Sequence, residues 1–238
     1  MQHQITIAAI RQETPSVKSF VLDCGSERFS YYAGQWVDIH RTINDESHNC
    51  GYSITSIPSG NNTIEIAVKL APDLVLTRYL HEQCKVGDIL FISDAQGDLW
   101  LDKSIDGANV FIAGGVGITP LYSMINQILS IKPDAPVVLI YSIAKPEEFL
   151  FEEKILQLQK SHPNFRCYIT VTRTKEHKQK FSGRISETIL KSINLPTNAS
   201  YYLCGPPAMV DTVADLLAHL QNDLQLDTNR IFYDKWWA

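Results

Sequence analysis

Positive charge is in short supply in this chain. Its 21 Lys and Arg stand against 26 Asp and Glu, a formal net charge of -5, which argues against a general affinity for nucleic acid or an acidic membrane. Any phosphate it binds must be held by a specific local site. Long apolar runs are also missing, since no stretch approaches the roughly 20 residues that span a bilayer as a helix. Met1-Gln2-His3-Gln4 has neither the basic start nor the apolar run of a signal peptide. The expectation is a soluble cytoplasmic protein with no membrane or nucleic-acid partner. Paired cysteines are absent too. Cys24, Cys50, Cys84, Cys167 and Cys204 are scattered, odd in number and without C-x-x-C or ferredoxin-like spacing, so no metal or cluster site is expected. There is no internal repeat and no low-complexity segment.

What is present is enough apolar residue, 45% of 238, for two compact cores. Up to about residue 100 the chain reads as short strands between turns: 5–10, 17–22, 35–40, 52–54, 63–69 and 89–93. In "TIEIAVKL" the alternation puts Ile64, Ile66 and Val68 on one face. One helix, from Thr77 to about Cys84, interrupts these strands, with Thr77 as its N-cap. That half predicts an antiparallel barrel. Beyond "LDKSIDG" strands and helices alternate: strands at 109–113, 137–142, 166–172 and 201–204, helices at 120–131, 146–160, near 186–192 and at 207–220. This pattern predicts a parallel sheet with helices on both faces. The expected domains are 1–102 and 107–238, joined by a linker at about 101–108.

The stretch "FIAGGVGITP" joins the first strand and helix of the second half. Gly114, Gly115, Val116 and Gly117 allow close backbone approach, and the helix N-terminus offers free N–H groups and the positive end of its dipole, which suits a pyrophosphate. Thr119 fits as a helix cap and Pro120 as the first helical residue, where no N–H is needed. A tight strand-to-helix turn needs the same glycines for backbone reasons alone.

Four further stretches, "GYSITS", "LTRYLHEQCKVGD", "YLCGPPAMV" and "YDKWWA", follow with "AGGVGITP" in an order and spacing that resemble the ferredoxin-NADP reductase family over nearly the whole chain. The likeness is especially close to the oxidoreductase NAD-binding domain-containing proteins. It implies a Greek-key FAD-binding barrel followed by an α/β NAD(P)-binding domain, with FAD and NADPH (or NADH) as cofactors.

The resemblance also implies roles for particular residues. Gly51, Tyr52 and Ser53 match the flavin motif, Tyr52 packing on the isoalloxazine and Ser53 reaching flavin N5. Cys50 departs from the family's arginine at the pyrophosphate, leaving Arg41 or Arg78 to substitute and FMN open as an alternative to FAD, because a neutral thiol makes no charge-assisted bond. Thr77 opens the helix beneath the phosphates, and Val68 and Lys69 flank the ribityl chain. Cys204, with Gly205 and Pro206, lies beside the nicotinamide and positions it, since hydride transfer needs roughly 3 to 3.5 Å between the reacting atoms. Trp236 stacks on the flavin and Asp234 serves hydrogen bonding or proton relay. Thr172 and Arg173, with Lys175 and nearby Lys178 and Lys180, match the 2'-phosphate site of NADP users, although Ala144 replaces an arginine found in many relatives.

The implied activity is hydride transfer from NADPH to flavin and electron release to a separate acceptor. Ferredoxin or flavodoxin fits, as do a haem protein, a quinone or a ferric chelate. A noncatalytic accessory module is the competing expectation, kept open by Cys50, Ala144 and Ala95. Direction of electron flow and oligomeric state stay open.

Overall fold

The computed structural model describes residues 2–26, 28–101, 107–174, 178–223 and 225–236. Lys175, Trp237 and most of the expected linker lie outside the described residues.

The first sheet is built from β1 (Gln2–Thr14), β2 (Val17–Asp23), β3 (Trp36–Ile43), β4 (Glu46–Ser53), β5 (Thr63–Lys69) and β6 (Ile89–Ser93), with α1 (Val75–Glu82) between the last two. Its order is β4-β3-β6-β1-β2-β5 and every pairing is antiparallel. Ile54, just past β4, bridges to Ile66 of β5 and brings the two edges together, removing open strand edges. The alternation works as expected: Ile64, Ile66 and Val68 are buried in the interior with Ile5, Ile7, Val37 and Ile39. Asn44 and Asp45, at φ 52° and 65°, form the tight turn between β3 and β4. The polar run of β4 hides this strand from a search for apolar alternation.

The second sheet contains β7 (Asn109–Gly114), β8 (Val137–Ile143), β9 (Phe165–Val171), β10 (Phe181–Ser182), β11 (Ser200–Gly205) and β12 (Ile231–Lys235). It is parallel throughout, in the order β10-β9-β8-β7-β11-β12. Phe111, Ala113, Leu139 and Tyr141 face α2 (Ile118–Ile131) and α3 (Glu152–Ser161), while Val110, Ile112, Val138 and Ile140 face α4 (Glu187–Ser192) and α5 (Pro207–His219). The chain leaves β7 towards β8 on one side and returns at β11 on the other. This change of direction opens a crevice at the carboxyl ends of β7 and β11, where open α/β sheets bind ligands.

The two sheets share a core. Val17, Ala33, Ala67, Leu99 and Leu101 of the first half pack with Leu121, Met124 and Ile125 of α2, and the Ser123 hydroxyl donates to the Ser56 carbonyl at 2.5 Å.

Several elements differ from the sequence expectation. The helix expected at 146–160 is broken, with a 3-10 turn at Pro146–Glu148 and α3 beginning only at Glu152. Phe149, Leu150 and Phe151 are all buried, and no single helical stripe buries three consecutive side chains. Phe151 takes the left-handed conformation instead, at φ 62°. α1 begins at Val75, not Thr77, and β10 and β12 are additional strands.

Candidate functional site

The glycine loop forms the floor of the crevice. Gly114 closes β7, Gly115–Gly117 make one 3-10 turn, and α2 follows directly. Two of the glycines are needed for different reasons. Gly115 is left-handed, at φ 53°, with open space where a Cβ would lie, so its backbone conformation is the requirement. At Gly117 a Cβ would lie 2.2 Å from the Cys204 carbonyl oxygen, so the loop rests directly on the end of β11.

Thr119 and Pro120 do not take the capping positions expected of them. Gly117 is the N-cap and Pro120 the third helical residue, because the 3-10 turn runs straight into α2. The Thr119 hydroxyl donates to the Val116 carbonyl at 2.8 Å. That carbonyl lies four residues before Pro120, which has no N–H to offer it.

β11 and β12 bring three predicted residues together. Cys204 pairs in register with Asp234 on one side and Ala113 on the other. Burial pushes its thiol pKa well above the ordinary value, and the neighbouring Asp234 charge adds to the effect. Asp234 is half-buried and its carboxyl pKa is raised by that burial, against the opposing influence of the Lys235 N–H, which donates to it at 2.8 Å, and of the Trp236 indole. Trp236 donates its backbone N–H to Gly205 at 3.1 Å. Its ring meets Trp36 edge to face at 5.8 Å and reaches Gly51, where a Cβ would come within 3.4 Å of it. The last described residue of the second half thus touches β3 and β4 of the first.

On the barrel side, Tyr52 and Ser53 are buried at the end of β4. The Tyr52 hydroxyl and the Trp236 indole nitrogen are sealed from solvent, and among the described residues their polar neighbours are Cys50 and Asp234, neither at full hydrogen-bond geometry. Thr77 is not a cap: its hydroxyl donates to Ala71 O at 2.7 Å and accepts from Ala71 N at 3.2 Å, closing the turn before the helix. The N-cap is Leu74, without a side-chain bond, so the first N–H groups of α1 are left for another acceptor. Val68 is fully buried in the barrel. Arg78 is exposed on α1. Arg41 lies over Tyr79 at 5.1 Å and donates to the Ile89 carbonyl at 2.8 Å. The register that sets Ile39 opposite Cys50 and Arg41 opposite His48 puts Arg41 one diagonal step from Cys50 on the same face.

A cleft of about 540 Å³ runs between the halves, lined by Lys69, Gly114 to Gly117, Ala144, Thr172, Arg173, Gly205, Pro206 and Trp236. It also brings in Arg184, Glu148 and Met209, which no motif in the sequence marks. Arg184 follows the two-residue β10, too short to show a strand pattern, and only the Gly183-Arg184 turn marks it. Tyr52, Ser53, Arg41, Thr77, Arg78, Thr119, Pro120, Cys204 and Asp234 do not line this cleft. Among the described residues no His, Cys, Asp and Glu cluster is placed to hold a metal ion, and no helix is long and apolar enough to cross a membrane.

A closed antiparallel sheet joined to a parallel sheet with a glycine loop at its switch point has the architecture of a two-domain nucleotide-binding protein. The comparisons agree. Residues 4–100 match the oxidoreductase FAD-binding domain and residues 111–215 the oxidoreductase NAD-binding domain. Oxidoreductase NAD-binding domain-containing protein 1 of Xenopus laevis is 32% identical, over 97% of this chain and 78% of that protein. The FAD/NAD-binding domain of nitric oxide dioxygenase from Vibrio cholerae superposes with a TM-score of 0.87 at 25% identity, covering 98% of both chains. A ferredoxin NADP+ reductase from Neisseria gonorrhoeae with bound FAD and NADP gives 0.83 at 22%, covering 99% of both. A flavohemoprotein of Oceanobacillus iheyensis is 29% identical over 91% of this chain, which spans only 56% of that relative's length. The chain belongs to the family of oxidoreductase NAD-binding domain-containing protein 1, with an oxidoreductase FAD-binding domain followed by an oxidoreductase NAD-binding domain.

Proposed function

We propose that this chain takes a hydride from NADPH and delivers the electrons to a separate acceptor, with 1–102 holding FAD and 107–238 the nicotinamide nucleotide. Flavin, when bound, accepts a hydride and releases its electrons singly. One observation carries the reading: the cleft joins Lys69 of the barrel, the glycine loop of the second sheet and Trp236 in a single space.

The chain's own residues divide the work. Gly114 to Gly117 and the start of α2 cradle the nucleotide pyrophosphate. Thr172 and Arg173, joined by Arg184, hold the 2'-phosphate, which favours NADPH over NADH. Cys204, kept as a neutral thiol by burial, shapes the nicotinamide site without adding charge. Gly51, Tyr52 and Ser53 seat the flavin ring, with the Ser53 hydroxyl at the reacting edge. Lys69 and the backbone at Val68 flank the ribityl chain, and the open N-terminus of α1 near Thr77 faces the flavin phosphates, Arg41 or Arg78 supplying the cation that Cys50 does not. Trp236 covers the ring and excludes water. Asp234 serves hydrogen bonding or proton relay beside the reacting centre.

By resemblance the acceptor is a ferredoxin or flavodoxin, and a haem protein, a quinone or a ferric chelate fits the chain equally well, each meeting it at the flavin edge. Anaerobic visible spectra test the reading. Flavin bands that bleach on adding NADPH, faster than with NADH, support it, and reduction of added ferredoxin or flavodoxin identifies the acceptor class. Colourless protein that binds no added FAD favours a noncatalytic module.

A further inference from the structure

Tyr141 lies beneath the glycine loop, outside the lining of the cleft. It sits on β8 beside Ala113 and is fully buried, yet carries a polar hydroxyl into an apolar core that also contains Phe111, Leu139 and Phe149. A hydroxyl is tolerated there only when its hydrogen-bonding capacity is used. It donates to the Gly115 carbonyl at 2.9 Å, and its oxygen faces the backbone N–H of Leu150. The Phe149 ring braces the Tyr141 ring edge on, at 5.7 Å and 73°.

The bond falls on the one residue of the loop with a left-handed backbone. A Cβ at Gly115 would meet open space, so its left-handed backbone, not side-chain room, is what requires glycine there. Its carbonyl also accepts the Ile118 N–H at the start of α2, and the Tyr141 hydroxyl supplies the second bond. With both acceptor positions filled, the carbonyl is fixed inward, and the peptide that follows it cannot flip. The same hydroxyl ties the loop to the segment 149–151, whose neighbour Glu148 lines the cleft.

We propose that Tyr141 is a positioning residue for dinucleotide binding, its hydroxyl locking the Gly115 peptide so that the turn at Gly115–Gly117 is preorganised for a pyrophosphate. The inference rests on the reading of this loop as the nucleotide cradle. Preorganisation strengthens binding by removing the entropy of ordering the loop in the complex.

Tyr141→Phe tests this, since it keeps the ring and deletes only the hydroxyl. In the FAD-loaded full chain, calorimetric titration with NADP+ should show a Kd about five-fold weaker, the scale of one net hydrogen bond. KM for NADPH should rise alongside, with kcat and FAD affinity close to wild type. Backbone hydrogen exchange at 115–118 should quicken, a readout that a purely packing role for the ring leaves unmoved. Wild-type binding with unchanged Kd and exchange in Tyr141→Phe would overturn the inference while leaving the cradle intact. Wild-type protein that binds neither NADP+ nor NAD+ would overturn the cradle reading, and the inference with it.

Discussion

The two halves of the molecule make their sites from different material. On the nucleotide side the backbone does the work: Gly117 rests on the Cys204 carbonyl, and a Cβ at Gly205 would lie 3.0 Å from the Gly114 nitrogen. On the proposed flavin side the site is made of side chains, Tyr52 and Ser53 on β4, with Cys50 where the resemblance implies an arginine and a helix that starts without a side-chain cap. A site made by close backbone approach is broken by adding atoms. One made by side chains is weakened by removing them and strengthened by restoring them.

The largest effect should therefore come from a single methyl group. Gly117→Ala drives a Cβ into the Cys204 carbonyl, and the contact is backbone on backbone, so no side chain can swing away. Destabilisation by about 3 kcal/mol should be seen in denaturant unfolding, with NADP+ binding lost and FAD binding kept. Gly115→Ala gives the contrast, strained by its positive φ but not by collision, and should be milder. Equal losses would mean that close approach does not distinguish the two positions.

Removing the Ser53 hydroxyl tests the other half. Ser53→Ala should slow reduction of an acceptor dye about 100-fold, the scale for losing one hydrogen-bonding group at a reacting centre, without moving the unfolding midpoint. A rate equal to wild type would take Ser53 out of the proposed hydride site. Cys50→Arg runs in the opposite direction. A guanidinium at that position should tighten FAD binding roughly tenfold through charge-assisted bonds, measured by quenching of flavin fluorescence. No gain would indicate that Arg41, one diagonal step away, already fills the role.

These contrasts also explain what the sequence made legible. The glycine loop, "GYSITS", "CGPP" and the tryptophan ending were visible because each is a compact run of unusual residues. The barrel core was visible through alternation in 63–69. Other features depend on partners far along the chain. β12 is defined by pairing with β11, and that pairing sets Asp234 beside Cys204. Thr77 and Thr119 have the sequence surroundings of caps, but a turn upstream opens each helix before them, with Leu74 and Gly117 as the N-caps. Arg184 reaches the cleft only through the two-residue β10.

At the far end of the cleft the nucleotide half relies on side chains after all, so substitution there should give a graded loss. Arg173→Ala should raise KM for NADPH about tenfold and leave KM for NADH nearly unchanged. Equal changes for both coenzymes would remove Arg173 from the 2'-phosphate site, and a persistent preference for NADPH in that variant would point to Arg184.

The smallest expected effect lies where the halves meet. Asp234 is raised in pKa by burial, whereas in the unfolded chain it titrates near 4. Between those values the folded protein binds the proton more readily than the unfolded chain does. Stability at this residue therefore falls as pH rises through the window, and the full penalty is present above the folded pKa. Asp234→Asn removes that penalty, so the variant should melt slightly above wild type at pH 7 to 8, with the difference shrinking as the pH is taken below about 4. A gap independent of pH would trace the change to packing against Trp236. A gap that closes on acidification would show that this aspartate is held at a cost to stability, as expected of a group kept near the reacting centre for its proton.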